Sequence, residues 1–474
     1  MEDTPILQGI RNYIDAQLTA FHTPGHKQGK GAYAPLVDLL GEKIFPADVG
    51  DELIGDAGED LHQLIEMAER KTAEIYGMDR SFFLVNGATS GIQAMLLSLG
   101  SGRQILVDRN IHISVSMGLV LADLRPIYVP RRWSEELGIP LDWDRDHYGH
   151  LWQEHPQTAA ALVVYPTYHG YCGPLADLIA DKVGQVLVDE AHGPHFPFHP
   201  QLPPSACALG ANYVVHSAHK LLGALTQGAY LHIKDVPAHV QACVDGLSTT
   251  SPSPLLLASL DGARAQLASQ GGQLWGRILA LAREAQERID AIPGLYCLGP
   301  HFYRQGLISD YDPVKLHICL QPLGITGWEA AGYLNERGIR VEMADWWTAL
   351  FILTYADGRE EVEALISALE ELAQEGPSPR GRSLRGKNLA PPPIPPQGLT
   401  PREAFFSPKE LVPLERARGR IAGEAIAPYP PGIPLILPGE EYTEEIIAYL
   451  HLLRSYRVKV RGATDPNLLM VSVI

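Results

Sequence analysis

Three short polar motifs each follow a run of apolar, β-branched residues, and they contain side chains that can do chemistry. Lys220 closes the motif SAHK after the run YVVH, and Asp189 ends the run QVLVD. A lysine amine can act as a nucleophile, whereas a buried carboxylate needs a cation or several hydrogen-bond donors as its partner. These two residues therefore indicate a site in which a reactive amine lies near a buried acid.

The third motif, NGATSG at 86–91, joins a strand-like run to a helical pattern through a glycine turn. Such a turn directs backbone N–H groups and the hydroxyls of Thr89 and Ser90 towards an anion at the helix N-terminus. An ordinary strand–helix turn with N-capping hydroxyls would have the same residues. The motif lacks the GxxxxGK[ST] pattern of a nucleotide-binding loop, so we interpret it as a cradle for a single phosphate group.

The order of the motifs along the chain predicts that they meet in one crevice. In open α/β sheets, ligands bind beyond the carboxyl ends of the strands, which is where all three motifs stand. A phosphate cradle, a buried acid and a lysine match the needs of pyridoxal phosphate (PLP). Lys220 would form the Schiff base, and Asp189 would pair with the protonated ring nitrogen. Ser217 and His219 would add hydrogen-bond donors to the phosphate.

A metal site is the other interpretation of this region, since His192, His195 and His199 recur at spacings of three and four. Helical geometry would be needed to bring them together, but a glycine and two prolines lie between them and break a helix. We therefore expect no metal.

Seven strand-like runs position these motifs: SFFLVN, QILVD, PIYV, ALVVY, QVLVD, YVVH and AYLHI. Helical patterns or polar loops separate most of them. Continuous apolar strands alternating with helices predict an α/β fold with a mainly parallel seven-stranded sheet, covered on both faces. Just before the first run, apolar residues from Leu61 to Ile75 follow helical spacing, and Gly77 is expected to end that helix.

The remaining chain predicts further domains. A helical stretch from about 255 to 292 and the runs LYCLG, VKLHICLQP and GIRVEM predict a smaller α+β domain. A Pro-rich segment with a basic cluster follows, which we interpret as a stiff, solvated linker and not as a binding site. The expected domains are an N-terminal arm (1–45), a large cofactor-binding domain (46–250), the small domain (251–375), the linker (376–398) and a C-terminal domain (399–474).

The composition excludes several classes of partner. There are 38 Lys and Arg against 55 Asp and Glu, so the formal net charge is −17. This charge argues against nucleic acid or an anionic membrane as the main partner. The N-terminus has no export signal, and no apolar stretch is long enough to span a bilayer. The five cysteines are far apart and form no CxxC motif, so we expect a reducing, cytoplasmic location without disulfides.

Long motifs in the chain resemble those of the Orn/Lys/Arg decarboxylases, which are PLP enzymes of fold type I. The likeness rests on FHTPGHKQG, NGATSG, VDRNIH, PTYHG, VDEAHG, SAHK and AIAPYPPGIPLILPGE, and it covers nearly the whole chain. The chain looks like the short form of this family, without an N-terminal wing domain. By this resemblance, Lys220, Asp189 and His112 are catalytic, and His112 stacks on the cofactor ring. The cofactor-binding set would be Ala88, Thr89, Ser90, His112, Asp189, His192, Ser217, His219 and Lys220.

The resemblance implies decarboxylation of lysine, arginine or ornithine to the corresponding polyamine-pathway amine. Burying the distal cation of such a substrate requires a carboxylate, for which Glu342 in IRVEMADWW is the candidate and Asp345 the reserve. Two alternatives stay open: another fold-type I enzyme, such as an aminotransferase or lyase, or a silent PLP-binding regulator. The resemblance further implies a homodimer, or a dimer-based oligomer, with shared active sites.

Overall fold

The computed structural model describes residues 3–50, 52–181 and 184–474. Its contacts divide the chain into two compact units. One unit consists of Met1–Ser98, Asp189–His199 and Pro204–Gly272. The other consists of Leu99–Val188, Pro200–Pro203 and Gln273–Ile474. This division into two units does not test the five domains expected from the sequence, which stay a prediction.

All seven strand-like runs form strands of one sheet. In chain order they are β1 (Arg80–Leu84), β2 (Gln104–Asp108), β3 (Arg125–Val129), β4 (Ala160–Val164), β5 (Gln185–Asp189), β6 (Tyr213–His216) and β7 (Ala229–Ile233). Their order in the sheet is β1-β7-β6-β5-β4-β2-β3. Strand β7 is antiparallel to both of its neighbours, and β2 is parallel to β3 and β4. The predicted α/β fold with a mainly parallel sheet is confirmed.

In the first unit, local sequence signals set the ends of the main helix. Helix Leu61–Tyr76 begins with a reciprocal capping box between Asp60 and Gln63 and ends at Gly77, whose φ of 67° is left-handed. Gly77 therefore ends this helix as predicted. The other helices of the unit are Pro5–Asp15, Ala34–Leu40, Ile44–Ala47, Gly87–Leu97, Ala206–Leu209, Ala218–Leu221 and Val240–Gly246. Helix Pro254–Asp290 follows, as its Ala/Leu-rich pattern predicted.

The second unit contains an antiparallel sheet of four strands, in the order Tyr296–Cys297, Lys315–Cys319, Thr348–Ile352 and Met343–Ala344. Two-stranded ribbons pair Trp133–Ser134 with Ile139–Pro140, Tyr171–Cys172 with Asp310–Tyr311, Glu410–Pro413 with Met470–Val473, and Ala427–Pro428 with Val460–Arg461. Its helices are Ile113–Ala122, Arg145–Glu154, Leu175–Ala180, Leu298–Arg304, Gly327–Glu336, Arg359–Leu372, Pro379–Leu384, Pro401–Phe406 and Glu444–Ser455.

Two expectations for the second unit differ from the structure. The run GIRVEM was expected to be a strand, but only its last residue, Met343, is in one. The Pro-rich segment was expected to be solvated, yet it contains a helix, and Leu384 and Leu389 are 1% and 0% exposed. The backbone N–H of Leu389 also donates to Glu135 O at 2.8 Å. Apolar residues between the prolines thus hold this segment against the body of the unit.

The core of the second unit mixes residues from its early, middle and late parts. Tyr171, Trp347, Leu389 and Tyr442 belong to one buried apolar cluster. Long-range packing of this kind makes the C-terminal residues part of the same folded body. In the described ranges, no helix is both long enough and apolar enough to cross a membrane.

Candidate active site

Lys220 lies on a one-turn helix, Ala218–Leu221, that begins directly after β6. Its Nζ is 3.0 Å from Nε2 of His192, which follows β5. The neighbouring His219 ring is held by its Nδ1, 3.1 Å from Gly228 O. Burial lowers the pKa of the His219 ring, and the nearby Lys220 amine also lowers it. The hydrogen bond to Gly228 O acts in the opposite direction. The first unit thus brings Lys220 and His192 together.

Asp189 ends β5 and is 5% exposed. Its Oδ1 accepts a hydrogen bond from Ala191 N at 3.1 Å, which fixes the carboxylate to the turn that carries His192. Tyr76 stabilises the same turn, because its hydroxyl donates to Pro194 O at 2.9 Å. The acid and the histidine are therefore held on a rigid support within one unit.

The glycine turn has the geometry of an open helix N-terminus. Gly87 has a φ of 76°, which favours glycine, and Ser90 Oγ donates to Gly87 O at 2.9 Å. Among the described residues, no side chain caps helix Gly87–Leu97, because Asn86 instead donates to Leu247 O at 3.0 Å. Ala88 and Ser90 are buried, whereas Thr89 is exposed. These uncapped N–H groups and the Thr89 hydroxyl fit a bound phosphate.

His112 belongs to the second unit, where it is the N-cap of helix Ile113–Ala122. Its Nδ1 accepts a hydrogen bond from Ser114 N at 3.2 Å and lies 2.8 Å from Ser114 Oγ. This contact orients an exposed imidazole ring. Stacking of that ring on a cofactor stays a prediction.

Glu342, the candidate carboxylate for the distal cation, directly precedes the strand Met343–Ala344. It is exposed, and the hydroxyl of Tyr168 donates to its Oε1 at 2.5 Å. Burial and the Glu342 carboxylate raise the pKa of Tyr168, so this hydroxyl stays protonated. Glu342 thus keeps an ordered carboxylate that can face a ligand.

Sequence reasoning missed a hydrogen-bonded network that lies wholly inside the first unit. It runs from Ser81 Oγ to His232 Nδ1 (2.7 Å), from His232 Nε2 to His216 Nδ1 (3.0 Å) and from His216 Nε2 to Glu190 Oε2 (2.6 Å). Burial raises the pKa of Glu190 well above its usual value and lowers that of His216 to about 3. The network is therefore held neutral. In the sequence, the only sign of this network is that Glu190 adjoins Asp189 and that His216 adjoins Ser217.

A second network, in the second unit, was also missed. Tyr171 OH lies 2.6 Å from His317 Nδ1, and His317 Nε2 lies 2.6 Å from Thr348 Oγ1. Thr348 Oγ1 in turn donates to Asp345 Oδ1 at 2.8 Å. Burial raises the pKa of Asp345 to about 6 and lowers that of His317 well below its usual value. These four side chains form a continuous row of hydrogen bonds, which we call a relay. It ends at Asp345, the reserve acid for the distal cation.

Comparison with known proteins places the whole chain in one family. The family described as Orn/Lys/Arg decarboxylase, major domain, matches residues 4–361, and the C-terminal domain of the same family matches residues 394–464. The chain is 36% identical over 483 residues to an arginine decarboxylase of Bacillus subtilis, covering 100% of this chain and 98% of that protein. The chain therefore belongs to the Orn/Lys/Arg decarboxylase family, and the prediction of an amino-acid decarboxylase is confirmed.

Solved structures agree on the fold. The lysine decarboxylase LdcF of Francisella novicida matches with a TM-score of 0.85 and 22% identity, over 99% of this chain and 81% of that one. A structure of SPT with PLP matches with a TM-score of 0.52 and 17% identity, over 74% of this chain and 82% of that one. The fold is thus the one shared by fold-type I PLP enzymes, as predicted.

Proposed function

We propose that this protein binds PLP through Lys220 and decarboxylates a basic L-amino acid, with arginine as its preferred substrate. The observation that carries the proposal is the Lys220–His192 contact, together with the buried Asp189, in a chain that matches the decarboxylase family along its length. We propose arginine over lysine and ornithine because the chain is 36% identical over its full length to an arginine decarboxylase of Bacillus subtilis.

The residues around Lys220 would hold the cofactor at its two charged ends. The uncapped N-terminus of helix Gly87–Leu97, with Ala88, Thr89 and Ser90, would bind the phosphate, and Ser217 and His219 would supplement it. Asp189 would pair with the ring nitrogen, and His112 would stack on the ring. When bound, PLP supplies an electron sink that stabilises negative charge at the substrate Cα.

The Lys220–His192 contact gives the site a route for one proton. Because His192 Nε2 lies 3.0 Å from Lys220 Nζ, it can accept a proton from the amine or return one. Lys220 must be neutral to act as a nucleophile, and the His192 ring is the group within hydrogen-bond distance that can take up the proton it releases. The reaction removes the α-carboxyl group as CO2 and needs one proton at Cα, so a histidine next to the reacting amine is well placed to take part.

Charge would select the substrate. Glu342 would bind the distal cation, and Tyr168 holds its carboxylate in place. The net charge of −17 also favours cationic substrates over anionic ones.

We further propose that the protein works as a homodimer, or as a dimer-based oligomer, with shared active sites. The N-terminal arm exposes large apolar side chains, with Phe21 at 93%, Leu39 at 80% and Tyr33 at 75%. Such side chains commonly pack against a second copy. We expect a Lys220→Ala variant and an inactive variant of the arm residue His26 to rescue one another partly when mixed. Absence of rescue in proven heterodimers would contradict shared sites.

Cytoplasmic location is part of the same proposal. All five cysteines are buried free thiols, the state that a reducing compartment maintains. Quantifying the protein in cytosolic and exported fractions of its native cells would test this location.

The proposed reaction is tested by CO2 release. Purified protein with added PLP should release CO2 from L-arginine with the highest kcat/KM, and Lys220→Ala should reduce this rate to background. Release from none of arginine, lysine and ornithine would overturn the proposal, whereas release from lysine alone would change only the substrate. Amino-group transfer to a 2-oxo acid without CO2 release would instead indicate an aminotransferase.

A further inference from the structure

A cavity of about 850 Å³ lies entirely within the second unit. Its volume is within the range of small-molecule sites. Its walls include the aromatic side chains of Trp133, Trp328, Trp346 and Tyr449, together with prolines of the Pro-rich segment. Trp328 and Trp346 pack edge to face with their ring centroids 5.0 Å apart. Part of the wall is therefore apolar and aromatic.

Both arginines that line this cavity are already paired. Arg109 donates to the two carboxylate oxygens of Glu440 at 2.5 and 2.8 Å. Arg131 donates through Nε to both carboxylate oxygens of Asp108, at 3.1 and 3.2 Å, and its remaining N–H groups reach Asp108 and two backbone carbonyls. Their charges are neutralised within the protein, so neither is available to bind an anionic ligand.

Two other side chains that line the cavity, His169 and Asp345, each have a hydrogen-bond acceptor that can still bind a ligand. His169 is 3% exposed, and among the described residues its Nδ1 has no hydrogen-bond partner. Within the part of the chain that the structure describes, Asp345 receives its hydrogen bonds from Trp347 N, Thr348 N and Thr348 Oγ1 through Oδ1 alone, at 3.2, 2.9 and 2.8 Å. A ring nitrogen of His169 and a carboxylate oxygen of Asp345 lie within 4.8 Å of each other. One small cationic group can therefore reach both.

We propose that this cavity binds an organic cation with N–H donors and no carboxylate, such as an alkylamine or alkylguanidine, whose charged end lies between Asp345 and His169. Asp345 Oδ2 accepts one N–H, and His169 Nδ1 accepts a second when the ring carries its proton on Nε2. The side chains of Trp328 and Trp346, which line the cavity, contact the alkyl chain.

Two other occupants fit the cavity less well. A metal ion would require His317 as its third ligand, but both of its ring nitrogens are hydrogen-bonded, to Tyr171 and to Thr348, each at 2.6 Å. An amino acid would also need a cation for its carboxylate, and both arginines that line the cavity are already paired. The cavity thus favours an alkylamine or alkylguanidine over an amino acid, a property independent of the proposed reaction.

The test is direct binding of agmatine and cadaverine to the full-length protein, measured by isothermal titration calorimetry. The protein is first treated with borohydride and saturated with L-arginine, so that turnover stops and the substrate pocket is occupied. We expect one amine site per chain. Asp345→Asn should weaken binding at least tenfold, His169→Phe at least threefold, and Glu342→Gln less than twofold.

The matched control is Glu444→Gln, which removes an exposed carboxylate that does not line the cavity. It should leave amine binding unchanged. Thermal melting shows whether Asp345→Asn is folded. If it is not, amine binding by His169→Phe decides the test. The inference is overturned by wild-type protein that binds neither amine, or by binding that survives both cavity substitutions. Binding that disappears with L-arginine or in Glu342→Gln would place the amine in the substrate pocket and also contradict it.

Discussion

The two units each contain a buried relay of four hydrogen-bonded side chains, but the relays end differently. In the first unit, Ser81, Glu190, His216 and His232 are all 0% exposed. Glu190 is satisfied further by Ser205 Oγ at 3.1 Å and Ala206 N at 2.9 Å. In the second unit, the relay ends at the half-buried Asp345, which lines a cavity.

The difference indicates two kinds of use for a buried polar group. The relay of the first unit is closed, because its four side chains are fully buried and hydrogen-bonded. It stabilises one arrangement of the strands that lead to Asp189 and Lys220, since any shift would leave a buried group unsatisfied. The relay of the second unit is open, because it ends at a cavity. It holds the Asp345 carboxylate in place through Oδ1 and leaves Oδ2 for a ligand. We therefore expect substitutions in the closed relay to act on stability and those at the open end to act on binding and pH dependence.

The largest expected effect is on the closed relay. Glu190→Ala leaves His216, Ser205 Oγ and Ala206 N without their buried partner, and each buried polar group left unsatisfied costs roughly 1–3 kcal/mol of unfolding free energy. Urea unfolding monitored by circular dichroism measures the change. Glu444→Gln, on the surface, is the control and should change stability by less than about 0.5 kcal/mol. A loss below about 1 kcal/mol in Glu190→Ala would show that this network is not closed.

The next effect concerns the exposed acid Glu342, which should act on the substrate and not on stability. Losing one charged hydrogen bond costs roughly 1.5–3 kcal/mol, so Glu342→Gln should lower kcat/KM for arginine about 10- to 150-fold. Tyr168→Phe keeps the charge and should lower it less. Visible absorbance of the bound cofactor should not change in either variant. Unchanged kcat/KM in Glu342→Gln would remove this residue from the substrate site.

The open relay should give stability a specific pH dependence. Burial raises the pKa of Asp345 from the ordinary 3.8 to about 6 in the folded protein. Between those values the folded state keeps a proton that the unfolded state has released, so the unfolding free energy falls as pH rises and is level above about pH 6. The fall amounts to roughly 1–3 kcal/mol, and Asp345→Asn should lack it. Wild type and variant with identical pH profiles would contradict this assignment.

The smallest effect is expected at the far end of the open relay. Tyr171→Phe removes the hydroxyl next to His317 and should cost about 0.5–1.5 kcal/mol of unfolding free energy. Agmatine binding should change less than in Asp345→Asn, because Asp345 keeps its bonds to Thr348. A Tyr171→Phe variant that loses agmatine binding as fully as Asp345→Asn would show that the relay acts as one unit.

The sequence was sufficient to predict the sheet and the residues at its strand ends. QILVD and QVLVD coincide with β2 and β5, because continuous apolar runs between turns have few alternatives to a buried strand. Asp189 and Lys220 could be chosen because they stand where such runs stop. The prediction failed at GIRVEM, whose alternating pattern is equally compatible with an extended chain that joins a strand only at Met343.

Contacts between distant residues could not be predicted. His232 and Glu190 join one relay only because β7, β6 and β5 are neighbours, and strand order is not encoded locally. The Pro-rich segment had the composition of a linker, but Leu384 and Leu389 pack it into the second unit. The cavity it helps to line was equally invisible, since its wall residues are more than 300 positions apart in the chain, from Arg109 to Val458.

The central claim is that Lys220 carries the cofactor, and peptide mapping tests it most directly. Protein incubated with PLP is reduced with borohydride and digested, and each lysine-containing peptide is weighed by mass spectrometry. We predict a stoichiometric mass increase corresponding to a reduced pyridoxyl phosphate group on Lys220, with Lys234 on the same unit unmodified. A label on another lysine, or none with PLP in excess, would contradict the account.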